Sequence, residues 1–204
     1  MLLFQDVLDV FSNSKNFILL GYSFGSMLTL KLASFLEANG KSGSVILIDG
    51  SPQFLHKLSN TTIVDQSDEN IQSIVILPCI RLLFPSEFEE IAKKVFSQTS
   101  WENRLKTFVD IGATKSRYTA EYGKQMLNAI VKRVKMCLKA DKVEFEKLRT
   151  SSITLIKPTN ASVSDLDEDY GLGKYFEKEV EKTIIEGDHA SILKNPELLE
   201  LINK

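Results

Sequence analysis

The sequence predicts an α/β domain with a mostly parallel sheet of about four strands and a helical insert. Four short runs of apolar or β-branched residues are bounded by Gly, Pro, Asn or Asp, a pattern typical of parallel strands that are buried on both faces. A helical pattern separates the first two runs, and a long stretch without strand signal separates the second from the third. Strands and helices that alternate in this way favour a parallel sheet covered by helices.

The predicted elements follow in chain order. The N-terminal stretch MLLFQDVLDVF carries Asp6 and Asp9 and lacks both a basic region and a cleavage site, so it predicts an amphipathic helix and not a signal peptide. A second helix, apolar on most sides, runs from Ser26 to Asn39 and is closed by Gly40. The stretch PELLELINK predicts a C-terminal helix that begins with proline. The four predicted strands are NFILL (16–20), SVILID (44–49), SITLIK (152–157) and KTIIE (182–186).

The insert lies between the second and third strands. Over residues 61–149 the pattern indicates several helices, of which the clearest spans 121–140. Its apolar face is formed by Leu127, Ile130, Val131, Val134 and Leu138. We therefore predict a core built from residues 1–60 and 150–204 and a helical lid subdomain built from residues 61–149.

Composition excludes several classes of function. With 204 residues, 43% hydrophobic content and a net charge of -2, the chain has the character of a soluble globular protein without a basic tail for nucleic acid. The distant cysteines Cys79 and Cys137 fit a reducing, cytoplasmic compartment better than a disulfide framework. Only two histidines are present, which disfavours a metal site. No stretch reaches the roughly 20 apolar residues of a membrane span, and no cofactor is expected.

The stretch Gly21-Tyr22-Ser23-Phe24-Gly25 joins the first predicted strand to the second predicted helix. A serine at so sharp a turn exposes its Oγ, and glycines two positions away let neighbouring backbone approach closely. The pattern Gly-x-Ser-x-Gly between strand and helix is the nucleophile elbow of α/β-hydrolases. Ser23 is therefore the candidate nucleophile, and the backbone N–H of Phe24 is the candidate oxyanion donor.

A serine nucleophile needs a base, and in this fold the order is Ser, acid, His. His189 follows the last predicted strand, whereas His56 comes too early for that order. His189 is thus the candidate base, and His56 is interpreted as a surface residue. Asp188, next to His189, is interpreted as a cap for the helix that follows.

Two places in the sequence could supply the acid. Asp49 ends the strand VILID, at a position where its carboxylate would be aimed at the site. A charged residue at the end of so apolar a strand indicates that the charge has a function. Asp165, Asp167 and Asp169 follow the third strand, the usual place of the acid, but begin several positions after it. Asp49 is the preferred candidate, with a turn-forming Asp-Gly pair as the alternative.

Three sequence blocks carry a family resemblance: LLGYSFGSMLTLKLASFLE, LIDGSP, and DYGLG followed by IIEGDHASIL. They resemble the thioesterase domain of animal-type fatty acid synthases, over residues 16–193. The resemblance implies a triad of Ser23, Asp49 and His189 that hydrolyses long-chain acyl thioesters. It also implies a substrate held on the phosphopantetheine arm of an acyl carrier protein, and a helical insert that forms a lid over an acyl groove.

The chain departs from this pattern at its start. Only 22 residues precede Ser23, so we expect the strand NFILL at an exposed edge of the sheet and a partial, N-terminally truncated α/β-hydrolase fold without the loop for a second oxyanion donor. Three functions stay open at this point. They are a thioesterase, a catalytically impaired hydrolase-like module that binds acyl chains or a carrier protein, and a generic carboxylesterase.

Lysines recur along the helix predicted at 121–140 and just beyond it, at three- and four-residue spacing: Lys132, Lys135, Lys139 and Lys142. This spacing predicts a cationic stripe on one helix face. Such a stripe is either a solvated surface or a docking site for an acidic carrier protein. In the second case the chain could be one part of a larger multidomain synthase.

Overall fold

The computed structural model describes residues 2–114 and 119–203. Within them the elements follow in the order α1 (Leu2–Val10), β1 (Asn16–Tyr22), α2 (Gly25–Ala38), β2 (Ser42–Ile48), α3 (Pro52–Thr62), α4 (Asp68–Leu83), α5 (Phe88–Phe96), α6 (Trp101–Ala113), α7 (Ala120–Cys137), β3 (Ser152–Pro158), β4 (Val180–Ile185) and α8 (Pro196–Ile202). Met1 and Lys204, at the ends of the first and last predicted helices, lie outside the described residues.

The four strands form one parallel sheet in the order β1-β2-β3-β4. This confirms the predicted fold class, an α/β fold with a parallel sheet of four strands. β1 lies at one edge, as expected, and the side chain of Ile18 on it is 70% exposed. At the other end of the strand Tyr22 pairs with Ile48 of β2, so the residues that follow β1 and β2 leave the sheet side by side.

Both faces of the sheet pack against apolar side chains. On one face, Phe17, Val45 and Leu155 form a buried cluster together with Leu30 and Leu36 of α2. On the other face, a smaller cluster joins the ends of the strands to α8 and to the 3-10 turn before it. Its buried members are Ile48, Ile156, Ile185, Ile192 and Leu198. The apolar runs in the sequence are therefore strands because they fill these two layers.

The chain divides into two compact units, residues 1–60 with 137–204 and residues 61–136. The first holds the sheet, and the second holds α4 to α7. Residues 137–149 belong to the first unit; the division drawn from the sequence at residue 149 stays a prediction. No helix among the described residues is long and apolar enough to cross a membrane.

The prediction of a lysine stripe along one helix is wrong. Helix α7 ends at Cys137, so Lys139 and Lys142 lie in and beside a following 3-10 turn and belong to the other unit. On α7 itself, Lys135 Nζ lies 2.6 Å from Asp68 Oδ1 of α4. The periodicity failed here because spacing alone does not reveal where a helix ends.

One carboxylate near the end of α2 forms hydrogen bonds with the residues directly before β3. Glu37 accepts hydrogen bonds from the backbone N–H groups of Arg149 (2.9 Å), Thr150 (3.1 Å) and Ser151 (2.6 Å), and from the Thr150 hydroxyl (3.0 Å). Burial raises the pKa of Glu37, but these hydrogen bonds outweigh it and leave the pKa below its usual value. The carboxylate form thus stabilises the junction of α2 and β3.

We expect Glu37→Gln to lower the free energy of unfolding at pH 7 by roughly 1–3 kcal/mol, because the side chain loses its charge and part of its acceptor capacity. A group whose folded-state pKa is lowered stabilises the fold above its unfolded-state pKa of about 4.3, and this stabilisation is lost as the pH falls through the folded-state value. The gap between wild type and variant should therefore narrow below about pH 4. Urea unfolding at pH 7 and at pH 3.5 measures this difference in the free energy of unfolding. Glu144→Gln, at an exposed position, is the control, and equal stability of all three proteins at pH 7 would contradict the expectation.

Candidate active site

Ser23 occupies a sharp turn between β1 and α2. Its backbone is left-handed, with φ of 51°, a conformation that is uncommon for a residue with a side chain. Two hydrogen bonds hold the turn: Ser23 N–H donates to the Ile48 carbonyl at 3.0 Å, and the buried Ser26 hydroxyl donates to the Ser23 carbonyl at 2.7 Å. Ser23 itself is partly exposed. The sequence motif thus forms the strained strand-to-helix turn that a nucleophile elbow requires.

The glycines around Ser23 have different tasks. A Cβ placed on Gly21 would lie 2.4 Å from Thr29 Oγ1 and 2.9 Å from the Gly25 carbonyl oxygen, whereas a Cβ on Gly25 would meet no atom of the described residues within 4 Å. Gly50, which follows Asp49, would place a Cβ 2.5 Å from the Ser23 carbonyl oxygen. Close backbone packing therefore requires glycine at positions 21 and 50 and leaves room at position 25.

Asp49 follows β2 directly and is completely buried. Its backbone is also left-handed, with φ of 41°, and its N–H donates to the Ile156 carbonyl of β3 at 2.8 Å. The carboxylate is thereby turned out of the strand direction at the carboxyl edge of the sheet, where active sites of parallel sheets gather.

The structure brings Ser23, Asp49 and His189 together. His189 lies in the loop after β4, with Nε2 3.0 Å from Ser23 Oγ and Nδ1 2.7 Å from Asp49 Oδ2. This arrangement fixes the tautomer: Nδ1 carries the proton that is donated to the carboxylate, and Nε2 is left to accept from the serine hydroxyl. A serine, a base and an orienting acid in this chain of hydrogen bonds are equipped for nucleophilic chemistry.

Two aromatic side chains hold the imidazole of His189. Tyr22 stacks on it with ring centroids 5.0 Å apart and donates its hydroxyl hydrogen to the His189 carbonyl at 2.5 Å. Phe54 stacks at 5.8 Å. Burial, and then the charges of Asp49 and Asp188, raise the pKa of Tyr22, so the hydroxyl stays a donor. The sequence reasoning missed both residues, although Tyr22 lies within the motif itself.

The other candidate residues have structural tasks. Asp188 Oδ1 accepts from the backbone N–H groups of Ala190 (2.9 Å) and Ser191 (2.8 Å), but the N-cap of the 3-10 turn that follows is Ala190 and the N-cap of α8 is Asn195. Asp188 therefore holds the loop and is not the helix cap that the sequence predicted. His56 Nδ1 lies 3.0 Å from the Leu138 carbonyl oxygen and 3.0 Å from Asp141 Oδ1. It contributes nothing to the group around Ser23 in the contacts described for it.

The acidic loop after β3 does not supply the acid. Asp169 accepts from the backbone N–H groups of Gly171 and Gly173, and the Asp165 carbonyl accepts from Lys57 Nζ. The hydrogen bond to His189 Nδ1 comes from Asp49 instead. Within residues 2–114 and 119–203, no three His, Cys, Asp or Glu side chains are grouped as a metal site would need.

We expect Gly21→Ala to lower the free energy of unfolding by about 1–3 kcal/mol, because the new methyl group overlaps Thr29 and the backbone at Gly25. Gly25→Ala is the matched control from the same motif and should leave stability unchanged or raise it, since alanine is the better helix former. Thermal and urea unfolding measure both. Equal destabilisation of the two variants would show that the packing around the turn differs from that described.

Comparisons with known proteins bear on the fold and on the family of the chain. A family model described as thioesterase domain matches residues 4–204. Among solved structures, human thioesterase 2 is 15% identical with a TM-score of 0.53, and the match covers 100% of this chain and 78% of that one. The RedJ thioesterase of prodiginine biosynthesis in Streptomyces coelicolor is 15% identical with a TM-score of 0.55, and the match covers 98% and 64%. A four-domain nonribosomal peptide synthetase bound to AMP and glycine is 14% identical with a TM-score of 0.66, and the match covers 98% of this chain and 15% of that one. Structural similarity at such low identity supports the fold alone, whereas the family model shows to which family the chain belongs. The chain therefore belongs to the thioesterase domain family of hydrolases.

Proposed function

We propose that this chain hydrolyses long-chain acyl thioesters held on an acyl carrier protein and releases a free fatty acid, as a thioesterase of the animal-type fatty acid synthase kind. The observation that carries the proposal is the hydrogen-bonded series Ser23 Oγ, His189 Nε2, His189 Nδ1 and Asp49 Oδ2. All three residues belong to the unit that holds the sheet. The proposed reaction needs no cofactor.

Each proposed step uses a group at a suitable place. His189 Nε2 takes the Ser23 hydroxyl proton while Oγ attacks the thioester carbonyl, and the resulting oxyanion lies toward the backbone N–H of Phe24 at the start of α2. The C–S bond then breaks, and His189 returns the proton to the leaving thiolate. Water attacks the acyl-serine in the same way, which yields the fatty acid and free Ser23.

Asp49 supports these steps without losing its own charge. Its carboxylate keeps the proton on Nδ1 and so leaves Nε2 free to act as a base, and it stabilises the imidazolium that forms when Ser23 is deprotonated. Because Asp49 is fully buried, water competes little for this hydrogen bond.

An apolar cavity of about 460 Å³ in the second unit supports a long acyl chain as substrate. The residues that line it belong to α4, α6 and α7 or directly adjoin these helices. They include Leu82, Leu83, Phe108, Met126 and Leu127. The described residues that line it include no charged side chain. A cavity of this size and lining suits hydrocarbon, which gains about 0.8 kcal/mol for each methylene group buried.

The resemblance of two sequence blocks to fatty acid synthase thioesterases favours a carrier-bound thioester over a free ester. The blocks Asp49-Gly50-Ser51-Pro52 and Glu186-Gly187-Asp188-His189 support the fatty acid synthase kind in particular. Carrier docking does not rest on the lysine stripe, since Lys135 is paired with Asp68.

We expect Ser23→Ala to abolish hydrolysis of a palmitoyl thioester, and His189→Ala to cost nearly as much. The double variant should lose little more than either single variant, because the members of a triad act as a unit. The rate of hydrolysis is measured as thiol release from palmitoyl carrier protein and from a palmitoyl thioester of a small thiol. Turnover by Ser23→Ala would refute the mechanism. A wild-type protein that binds palmitoyl carrier protein without hydrolysing it would favour the binding module, and preference for an oxygen ester would favour a carboxylesterase.

We expect Gly112→Leu to slow hydrolysis of a palmitoyl thioester roughly 10-fold while an acetyl thioester is unaffected. The new side chain would enter the cavity and exclude about two methylene groups, each worth about 0.8 kcal/mol. Gly112 lies within helix α6, and among the described residues the neighbour that a Cβ there would meet is Leu83, at 4.0 Å, so the fold should tolerate the change. Gly112→Ala is the matched control and should resemble wild type. Equal slowing of both substrates would contradict a role of the cavity in acyl binding.

A further inference from the structure

The buried Asp49 carboxylate has a second partner besides His189. The Tyr170 hydroxyl donates to Asp49 Oδ1 at 3.0 Å, while Oδ2 accepts from His189 Nδ1 at 2.7 Å. From this geometry we infer that Tyr170 is a positioning residue, which fixes the carboxylate plane of Asp49 and through it the imidazole of His189. The inference rests on the proposed role of the triad.

The loop after β3 holds Tyr170 rigidly. Tyr170 and Gly171 are both left-handed, with φ of 54° and 69°, and Asp169 fastens the turn by accepting from the N–H groups of Gly171 (2.9 Å) and Gly173 (2.8 Å). The Ser51 hydroxyl donates to the Tyr170 carbonyl at 2.7 Å. A left-handed tyrosine costs conformational energy and persists only where its surroundings enforce it. The acidic loop therefore presents a tyrosine to the acid of the site.

A stack of rings fixes the side chain as well as the backbone. The ring of Tyr170 lies against the fully buried Phe54, with centroids 5.1 Å apart and planes 12° from parallel. The same Phe54 ring stacks on His189 at 5.8 Å. Phe54 thus spaces the two groups that bind the opposite oxygens of Asp49, and neither group can shift far without disturbing the stack.

The Tyr170 hydroxyl remains a donor throughout the working range of pH. Burial is the main cause that raises its pKa far above the usual value, and the charge of Asp49 and the hydrogen bond to it add to the effect. The Lys157 ammonium, 5.3 Å from the ring centroid, is the cation in contact with this ring. Other ionisable groups around His189 are Asp49, Tyr22 and Asp188.

Removal of the hydroxyl would leave Asp49 Oδ1 without this partner. A buried carboxylate oxygen that loses a donor favours rotation of the carboxylate toward any remaining donor. Rotation of Asp49 would misalign Nδ1 and, with it, the Nε2 that must accept the Ser23 proton. The expected loss therefore appears in the chemical step and not in substrate binding.

The test is Tyr170→Phe, which keeps the ring stack and deletes only the hydroxyl. We expect kcat for a palmitoyl thioester to fall about 10-fold or more with KM unchanged, since 10-fold is the lower end of the effect of one lost hydrogen bond to a charged group. Tyr175→Phe, at another buried tyrosine that has no described contact with the triad, is the matched control and should retain wild-type kcat. Ser51→Ala frees the Tyr170 carbonyl and also removes the acceptor of the Phe54 N–H, so it loosens both stacked residues and should lower kcat in the same direction. It replaces Tyr170→Phe if that variant fails to fold.

Two further measurements separate positioning from a general effect on stability. In an Asp49→Asn background, Tyr170→Phe should cost almost nothing further, whereas independent effects would add. The proton between His189 Nδ1 and Asp49 should give a downfield proton resonance in wild type and in Tyr175→Phe, and this resonance should broaden by exchange or move in Tyr170→Phe. That spectrum needs no substrate, so it tests Tyr170 even if the proposed function fails. An unchanged resonance, an unchanged kcat, or full additivity with Asp49→Asn would each overturn the inference.

Discussion

The parallel pairing of β1 with β2 is the constraint on which the rest of the site depends. Because Tyr22 pairs with Ile48, the next residues of the two strands, Ser23 and Asp49, leave the same edge of the sheet as neighbours. Both adopt left-handed backbone there, and each is tied by its N–H to the last part of the adjacent strand. A shift of this register by one residue would turn every side chain of β1 to the other face and separate the pair.

Burial of the Asp49 charge sets the second requirement. A carboxylate removed from water destabilises the fold unless hydrogen bonds replace its hydration. Here His189 and Tyr170 donate to its two oxygens, so the groups that satisfy the charge also orient it. Of the left-handed non-glycine residues in the described part of the chain, Ser23, Asp49 and Tyr170 lie at this one place and Asp165 lies in the loop after β3. The grouping of three agrees with the tendency of strained backbone to occur at functional sites.

The two units differ in chemistry as well as in fold. The unit with the sheet contains the Ser23, His189 and Asp49 group, where polar contacts are close and directional. The helical unit contains an apolar cavity lined by side chains such as Phe108 and Leu127.

The sequence by itself determined the strands, the turn at Ser23 and the choice of His189 as the candidate base, because apolar periodicity, a strand-turn-helix motif and chain order are local properties. It favoured Asp49 over the later acidic loop but left the choice open, since either could reach the histidine. Only the tertiary structure decided that Asp49 meets His189, that the loop instead delivers Tyr170 to Asp49, that Tyr22 and Phe54 hold the imidazole, and that Glu37 fastens β3. It also removed the lysine stripe, because α7 ends before Lys139. Each of these depends on hydrogen bonds or packing between residues far apart in the chain, such as Asp49 and Tyr170, and a local pattern carries no information about which distant groups will meet.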